Sequence, residues 1–187
     1  MWCKNVDLPP EYEDKLRNLN LVNLKKMRQV YLQNKDERLN KFYQDVEQKN
    51  KRIFQLYKNN LEVGKLILAV LYLAEGAKSK SSIMFGNSDS LVIILFINLM
   101  RKCYKIDESK FRCTVQCRAD QNIPDLERFW SGVTKIPLGQ FYKARVDKRT
   151  IGQVSRKKDY KGVCRIDYFS ADLDRELKYI AKNILIR

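Results

Sequence analysis

The run Leu68-Ala69-Val70-Leu71-Tyr72-Leu73-Ala74-Glu75-Gly76 places one carboxylate at the end of an apolar segment. Apolar nearly all round, the segment reads as a helix buried between partners, with Gly76 as its C-terminal cap. That end of a helix disfavours an anion through its dipole, so the position of Glu75 points to use rather than to stability. The chain around it is basic, with 37 Lys and Arg against 22 Asp and Glu and a net charge of +15. An excess of this size favours a polyanionic partner, since neutralising phosphates releases counterions. A lone acid on such a chain suggests a metal held against nucleic acid.

The charge is uneven. Residues 1–64 carry 13 basic and 9 acidic residues, whereas residues 65–187 carry 24 and 13. Between Lys135 and Arg165 there are 10 basic and 2 acidic residues, so the C-terminal half is the expected electrostatic footprint. The five cysteines (Cys3, Cys103, Cys113, Cys117 and Cys164) form no CxxC pair, and the sequence has no histidine. A structural zinc site would need an unusual thiolate set. Reduced, mostly buried thiols fit better and imply a cytoplasmic setting. Met1-Trp2-Cys3-Lys4-Asn5 lacks the apolar core of a leader. The apolar runs Leu66–Ala74 and Leu91–Met100 fall well short of the roughly 18 residues of a membrane span.

The elements that would position these groups follow from periodicity. From Glu11 to Val63 there is neither Gly nor Pro, which predicts long helix. Leu39, Phe42, Val46, Ile53, Leu56 and Val63 recur near heptad spacing, and Leu16, Leu19, Leu24, Met27 and Tyr31 form an earlier stripe. The polar patch Gln33–Arg38 either folds these two parts into a hairpin or interrupts one face. Gly64 opens a new segment, giving a helical N-terminal extension over 1–63 and a second domain over 64–187. In that domain Ser81–Phe85 predicts a short strand, and Asn87-Ser88-Asp89 caps a helix over Leu91–Tyr104. Phe111–Cys117 alternates, with Arg112, Thr114, Gln116 and Arg118 sharing one face. A helix over Pro124–Val133, strand and loop over Lys143–Tyr160, a strand over Gly162–Phe169 and a helix capped by Ser170 complete an α+β domain with a small sheet. The last helix is expected to bury Leu173, Leu177, Ile180 and Ile184. Phe129 and Trp130 read as core rather than as a base-stacking platform.

Leu68–Gly76 resembles the LAGLIDADG motif of homing endonucleases. Leu68, Ala69, Leu71, Ala74 and Gly76 match letter for letter, and Glu75 replaces the second aspartate. Val70 stands at the first glycine, Tyr72 at the isoleucine and Leu73 at the first aspartate. With Asn87-Ser88-Asp89 and Arg128–Pro137, the segment is similar to a prokaryotic LAGLIDADG-like group often preceded by a helix-turn-helix, of which Trp2–Pro10 would be the tail. The resemblance implies a LAGLIDADG-type small mixed sheet with packed helices, and, with a single motif, a homodimer on double-stranded DNA. Leu68, Ala69, Leu71 and Tyr72 would form the dimer interface. Two Glu75 carboxylates would meet and hold a divalent metal, magnesium being the hard cation suited to them. Such metals serve phosphodiester hydrolysis.

The resemblance also lays the sheet in the major groove. Arg112, Thr114, Gln116 and Arg118, with Arg165 and Asp167 on the last strand, would face bases. Lys143, Arg145, Lys148, Arg149, Arg156, Lys157, Lys158 and Lys161 would hold phosphates, and Lys78 and Lys80 would lie near the scissile phosphate. Two other functions stay open: a non-cleaving, LAGLIDADG-derived transcriptional regulator, favoured by Val70 and the single acid, and an RNA-binding or assembly factor using the N-terminal helices.

Overall fold

The computed structural model describes residues 9–77, 82–155, 157 and 159–185. The chain divides into two units, Met1–Gln55 and Leu56–Arg187. The first is helical throughout its described part. Helix α1 (Pro10–Asn59) runs unbroken for 50 residues, so the polar patch at 33–38 interrupts a face and not the helix. Most of its large apolar side chains, Leu24, Phe42 and Ile53 among them, are exposed.

The helix ends at Asn59-Asn60. Asn60 adopts extended backbone geometry, and its side chain accepts hydrogen bonds from Glu62 N (2.8 Å) and Val63 N (3.1 Å), capping helix α2 (Leu61–Glu75). Gly64 therefore lies inside α2 rather than at a boundary. Its reason is packing against helix α3 (Ser90–Cys103): a Cβ at Gly64 would come within 2.8 Å of Cys103 Sγ. Asp89 caps α3 through Leu91 N (2.8 Å), and Asn87 holds Asp89 N (2.8 Å), as the Asn-Ser-Asp sequence predicts.

The second unit is α+β. Strands β1 (Ile83–Asn87), β2 (Phe111–Arg118), β3 (Arg145–Asp147) and β4 (Val163–Tyr168) form one mixed sheet in the order β1-β4-β2-β3. β4 runs antiparallel to both β1 and β2, while β3 is parallel to β2. Helices α4 (Ile123–Thr134) and α5 (Ala171–Leu185) complete the unit. Period-2 alternation sends Phe111, Cys113, Val115 and Cys117 of β2 into the core with Ile83, Phe85, Cys164 and Ile166. There they meet Leu68, Phe96, Met100, Trp130 and Leu177 from the helices. Phe85 stacks on Phe96 with centroids 4.0 Å apart. Trp130 is fully buried and donates its indole N–H to Lys161 O (2.8 Å). The Cys113 and Cys164 thiols lie 3.2 Å apart in this core, and the hydrogen bond to Cys113, with burial, pushes the Cys164 thiol far up. On α5, Leu173 and Leu177 are buried and Ile180 half-buried, but Ile184 is exposed, because the helix outruns the core at its last turn. Among the described residues no helix is long and apolar enough to cross a membrane.

Candidate nucleic-acid interface

The strand residues that do not enter the core make the opposite face of the sheet. The register sets them in rows: Gly86, Arg165 and Thr114 in one; Met84, Asp167 and Arg112 in the next; Val163, Gln116 and Arg145 in a third. Arg118 pairs with Asp147 at the edge. Four arginines and two aspartates share this surface, so its formal charge is positive.

Glu75 reaches the same surface. At the end of α2, Gly76 N bonds Tyr72 O (2.8 Å), Gly76 pairs with Phe85 in an antiparallel bridge, and Ala77 N bonds Met84 O (2.8 Å). The helix end is thereby stitched to the edge of β1. Gly76 has φ −76°, so it is not the left-handed cap expected from its position. Its side chain is excluded by space instead, since a Cβ would lie 2.3 Å from Tyr72 O. Glu75 is exposed and, with Gln116, Arg165, Met84 and Gly86, lines a concavity of about 270 Å³.

The expected base-facing residues differ in their freedom. Arg165 is held by Asp167, which accepts from both Nε (3.1 Å) and Nη2 (2.9 Å) and is itself buried. Arg112 donates to Ser109 O and Phe111 O (both 2.7 Å). Arg118 is clasped by Asp120 (3.1 Å) and Gln153 O (2.9 Å). Thr114 is 1% exposed, and its hydroxyl has no hydrogen-bond partner among the described residues. It is therefore floor beneath larger neighbours, not a protruding reader, and this corrects its expected role. Gln116 is half-buried beside the concavity.

The segment after β3 is tied to the end of β2. Asp120 accepts from Ser155 N (2.6 Å), and Ala119 N donates to Thr150 Oγ1 (2.8 Å). The Ser155 amide foremost, then Arg118, holds the Asp120 carboxyl below the usual range. Arg149 is paired with Asp147 (2.9 Å), which lowers the Asp147 carboxyl, so this arginine is engaged at home. Lys143, Arg145, Lys148 and Lys157 are exposed and make no ion pair among the described residues. Lys161 is also exposed, with its ammonium 5.7 Å from the Phe129 ring. Lys78, Lys80, Arg156 and Lys158 lie outside the described residues, as does most of Trp2–Pro10.

The helix face expected at a dimer contact needs correction too. Leu68, Ala69 and Tyr72 are buried in the protomer's own core, and Leu71 packs half-buried against it. Beyond Leu61 in its first turn, the large apolar residues that α2 leaves outside are Leu66, Val70 and Leu73, spaced i, i+4 and i+7 and about half exposed. Sequence reasoning missed this stripe because a helix apolar on all sides gives no signal of which face is left over. The Arg165–Asp167 pair had a signal in its i, i+2 spacing on a strand, whereas Asp120 reaches Arg118 from the turn after β2.

No group of three or more potential metal-ligating side chains of the His, Cys, Asp or Glu type occurs among the described residues. Glu75 supplies one carboxylate, fewer ligands than an octahedral magnesium ion takes, so a site there needs a second carboxylate, phosphate oxygens and water. No family model matches this chain, and neither any curated protein nor any solved structure does.

Proposed function

We propose that the chain is a double-stranded-DNA-binding protein of the LAGLIDADG-like kind, working as a homodimer in which paired Glu75 residues support metal-dependent phosphodiester hydrolysis. The observation that carries this reading is the meeting of Glu75 with the arginine-bearing open face of the sheet, around one concavity. That face would lie in a DNA groove. Gln116 offers an amide suited to a base edge, while Arg145, Lys143, Lys148 and Lys157 answer phosphates. Asp167 holds Arg165 in one orientation, so less side-chain freedom is lost on contact. The stripe Leu66, Val70 and Leu73 is the contact surface for the second copy, and brings the two α2 ends together. A divalent cation bound between carboxylates would supply an activated water and stabilise the leaving oxygen. Glu75 would hold it, and Arg165, the arginine lining the same concavity, would face the substrate.

Val70 supports a second reading, a non-cleaving DNA clamp. A branched side chain at the centre of the stripe keeps two helices farther apart than glycine would, and so separates the carboxylates. Incubation with a randomised duplex library and magnesium distinguishes the two. Discrete cuts that vanish in Glu75→Gln support hydrolysis. Sequence-specific retention without cuts selects the clamp, and binding no tighter to duplex DNA than to structured RNA rejects both.

A further inference from the structure

Helix α1 carries a second contact surface, and its periodicity says what covers it. Taking Leu32 as position a of a heptad, positions a and d through Leu56 are Leu32, Lys35, Leu39, Phe42, Val46, Lys49, Ile53 and Leu56, six of the eight apolar. Of the b, c and f positions between 33 and 55, only Phe54 is apolar. Phe42 and Ile53 are about 60% exposed, at 59% and 60%, and Val46 is the one half-buried seam residue. A stripe confined to a and d is the narrow seam of a coiled coil, whereas a helix lying on a domain needs a wider apolar face. A helix gains most of its stability from packing such a stripe.

We propose that residues 32–56 of α1 pair with the same residues of a second copy of this chain as a parallel, in-register, two-stranded coiled coil. Branched residues at a (Val46, Ile53) with leucine at d (Leu56) favour two parallel strands. The flanking charges choose the orientation. In a parallel pair Arg38 faces Tyr43 of the other copy and Asp45 faces Asn50, so the flanking positions oppose no like charges, and the only like pairs are Lys35 with Lys35 and Lys49 with Lys49 in the d layers. An antiparallel pair sets Asp45 against Asp45 and Arg38 against Arg52. Lys35 and Lys49 occupy d, where they fix the register and weaken the coil, Lys35 having Asp36 of the second copy within its layer. This contact stands on the heptad frame alone; the Leu66–Val70–Leu73 stripe of α2 is a separate surface.

The full-length chain tests it. Leu39→Cys, Val46→Cys and Ile53→Cys, oxidised one at a time, each yield a disulfide-linked dimer well above the background of the unsubstituted chain. Gln44→Cys, at an outward position, does not. In sedimentation, Phe42→Asp with Ile53→Asp weakens dimerisation by about a hundredfold or more, while Lys35→Leu with Lys49→Leu tightens it about tenfold or more. Near-UV circular dichroism, read from the buried Trp130, establishes that the second unit stays folded in the variants. If the seam cysteines cross-link no better than Gln44→Cys, or only one of the three does, the parallel coil is wrong. If Val70→Glu abolishes the dimer and the α1 aspartates leave it intact, the α1 pairing falls and the α2 contact stands.

Discussion

Glu75 ends a helix whose last turn carries no basic residue, so its charge meets the negative end of the helix dipole uncompensated. In Glu75→Gln that repulsion is gone, and stability rises by a few tenths of a kcal/mol, up to about 1 kcal/mol. The same substitution abolishes cleavage if the carboxylate holds the metal. A gain in denaturation midpoint together with a loss of cutting marks a residue kept for function; a fall in both marks it as structural. Lys135 offers the opposite case. It caps α4 at φ 60°, the left-handed region that costs side chains energy, and it is exposed. Lys135→Gly should stabilise the chain by about 0.5–1 kcal/mol, the relief of strain exceeding the entropy added to the unfolded chain. Urea denaturation reads this directly, and a lower midpoint would show that the lysine side chain contributes more than its backbone costs. The two positions also show how far residue type was legible. A glycine after an apolar helix predicts a left-handed cap, yet at Gly76 the requirement is room beside Tyr72 O, while the left-handed cap of α4 falls on a lysine that carries no such signal.

Among the elements, α2 was legible as an apolar helix from its composition, though one of its faces is exposed, and the alternation in Phe111–Arg118 marked both faces of β2. Three things were not legible. The bounds of β3 were not, since its three residues are too few for alternation to single them out of the strand and loop expected over Lys143–Tyr160. The break between α1 and α2 is made by one asparagine cap in a sequence without Gly or Pro. The bond between α2 and α5 joins residues 102 apart in the chain: Tyr72 O–H donates to Asp174 (2.6 Å), which is buried and also accepts from Lys178 Nζ (2.7 Å). Burial first, then the Asp174 hydrogen bond and charge, push the Tyr72 phenol well above its ordinary value. Its contribution to stability is therefore complete below about pH 10, where the unfolded chain begins to ionise, and declines above it as the unfolded state sheds a proton that the folded state keeps. Tyr104, raised by burial and then by its bond to Glu176, adds a decline of the same sign. Tyr72→Phe should lower stability near neutrality by about 1.5–3 kcal/mol, the range for a hydrogen bond to a charged group, and flatten the loss between pH 9 and 11. Thermal melts across that range decide the matter: an unchanged alkaline slope would mean that other groups cause the decline.

The chain joins a long helix to a unit with a basic one-sided sheet, and its order of helices and strands was readable from periodicity, the bounds of β3 and the break between α1 and α2 apart. The sheet order was not, because β1, β2 and β4 come from segments far apart in sequence, and alternation fixes faces without fixing neighbours. The open face follows from that order, since β4 between β1 and β2 brings Arg165 beside Gly86 and Thr114 and leaves Glu75 at the rim. The arginines on this face are mostly engaged with carboxylates or carbonyls of their own protomer, whereas Lys143, Lys148 and Lys157 are exposed without an ion pair among the described residues. Shape and base recognition would then fall to the sheet, and bulk affinity to the lysines. Each phosphate contact contributes about 0.9 to the slope of log affinity against log salt. Replacing all three lysines with glutamine removes six cations from the proposed dimer, so the slope for duplex DNA should fall by about 5 if every one sits on a phosphate. Affinity should drop alike for all sequences, while discrimination between sequences stays, as expected of lysines that would answer phosphates and not bases. A titration by fluorescence anisotropy at several salt concentrations measures both quantities. An unchanged slope would move the phosphate contacts off this loop, and a loss of discrimination with the slope intact would make the lysines readers of sequence.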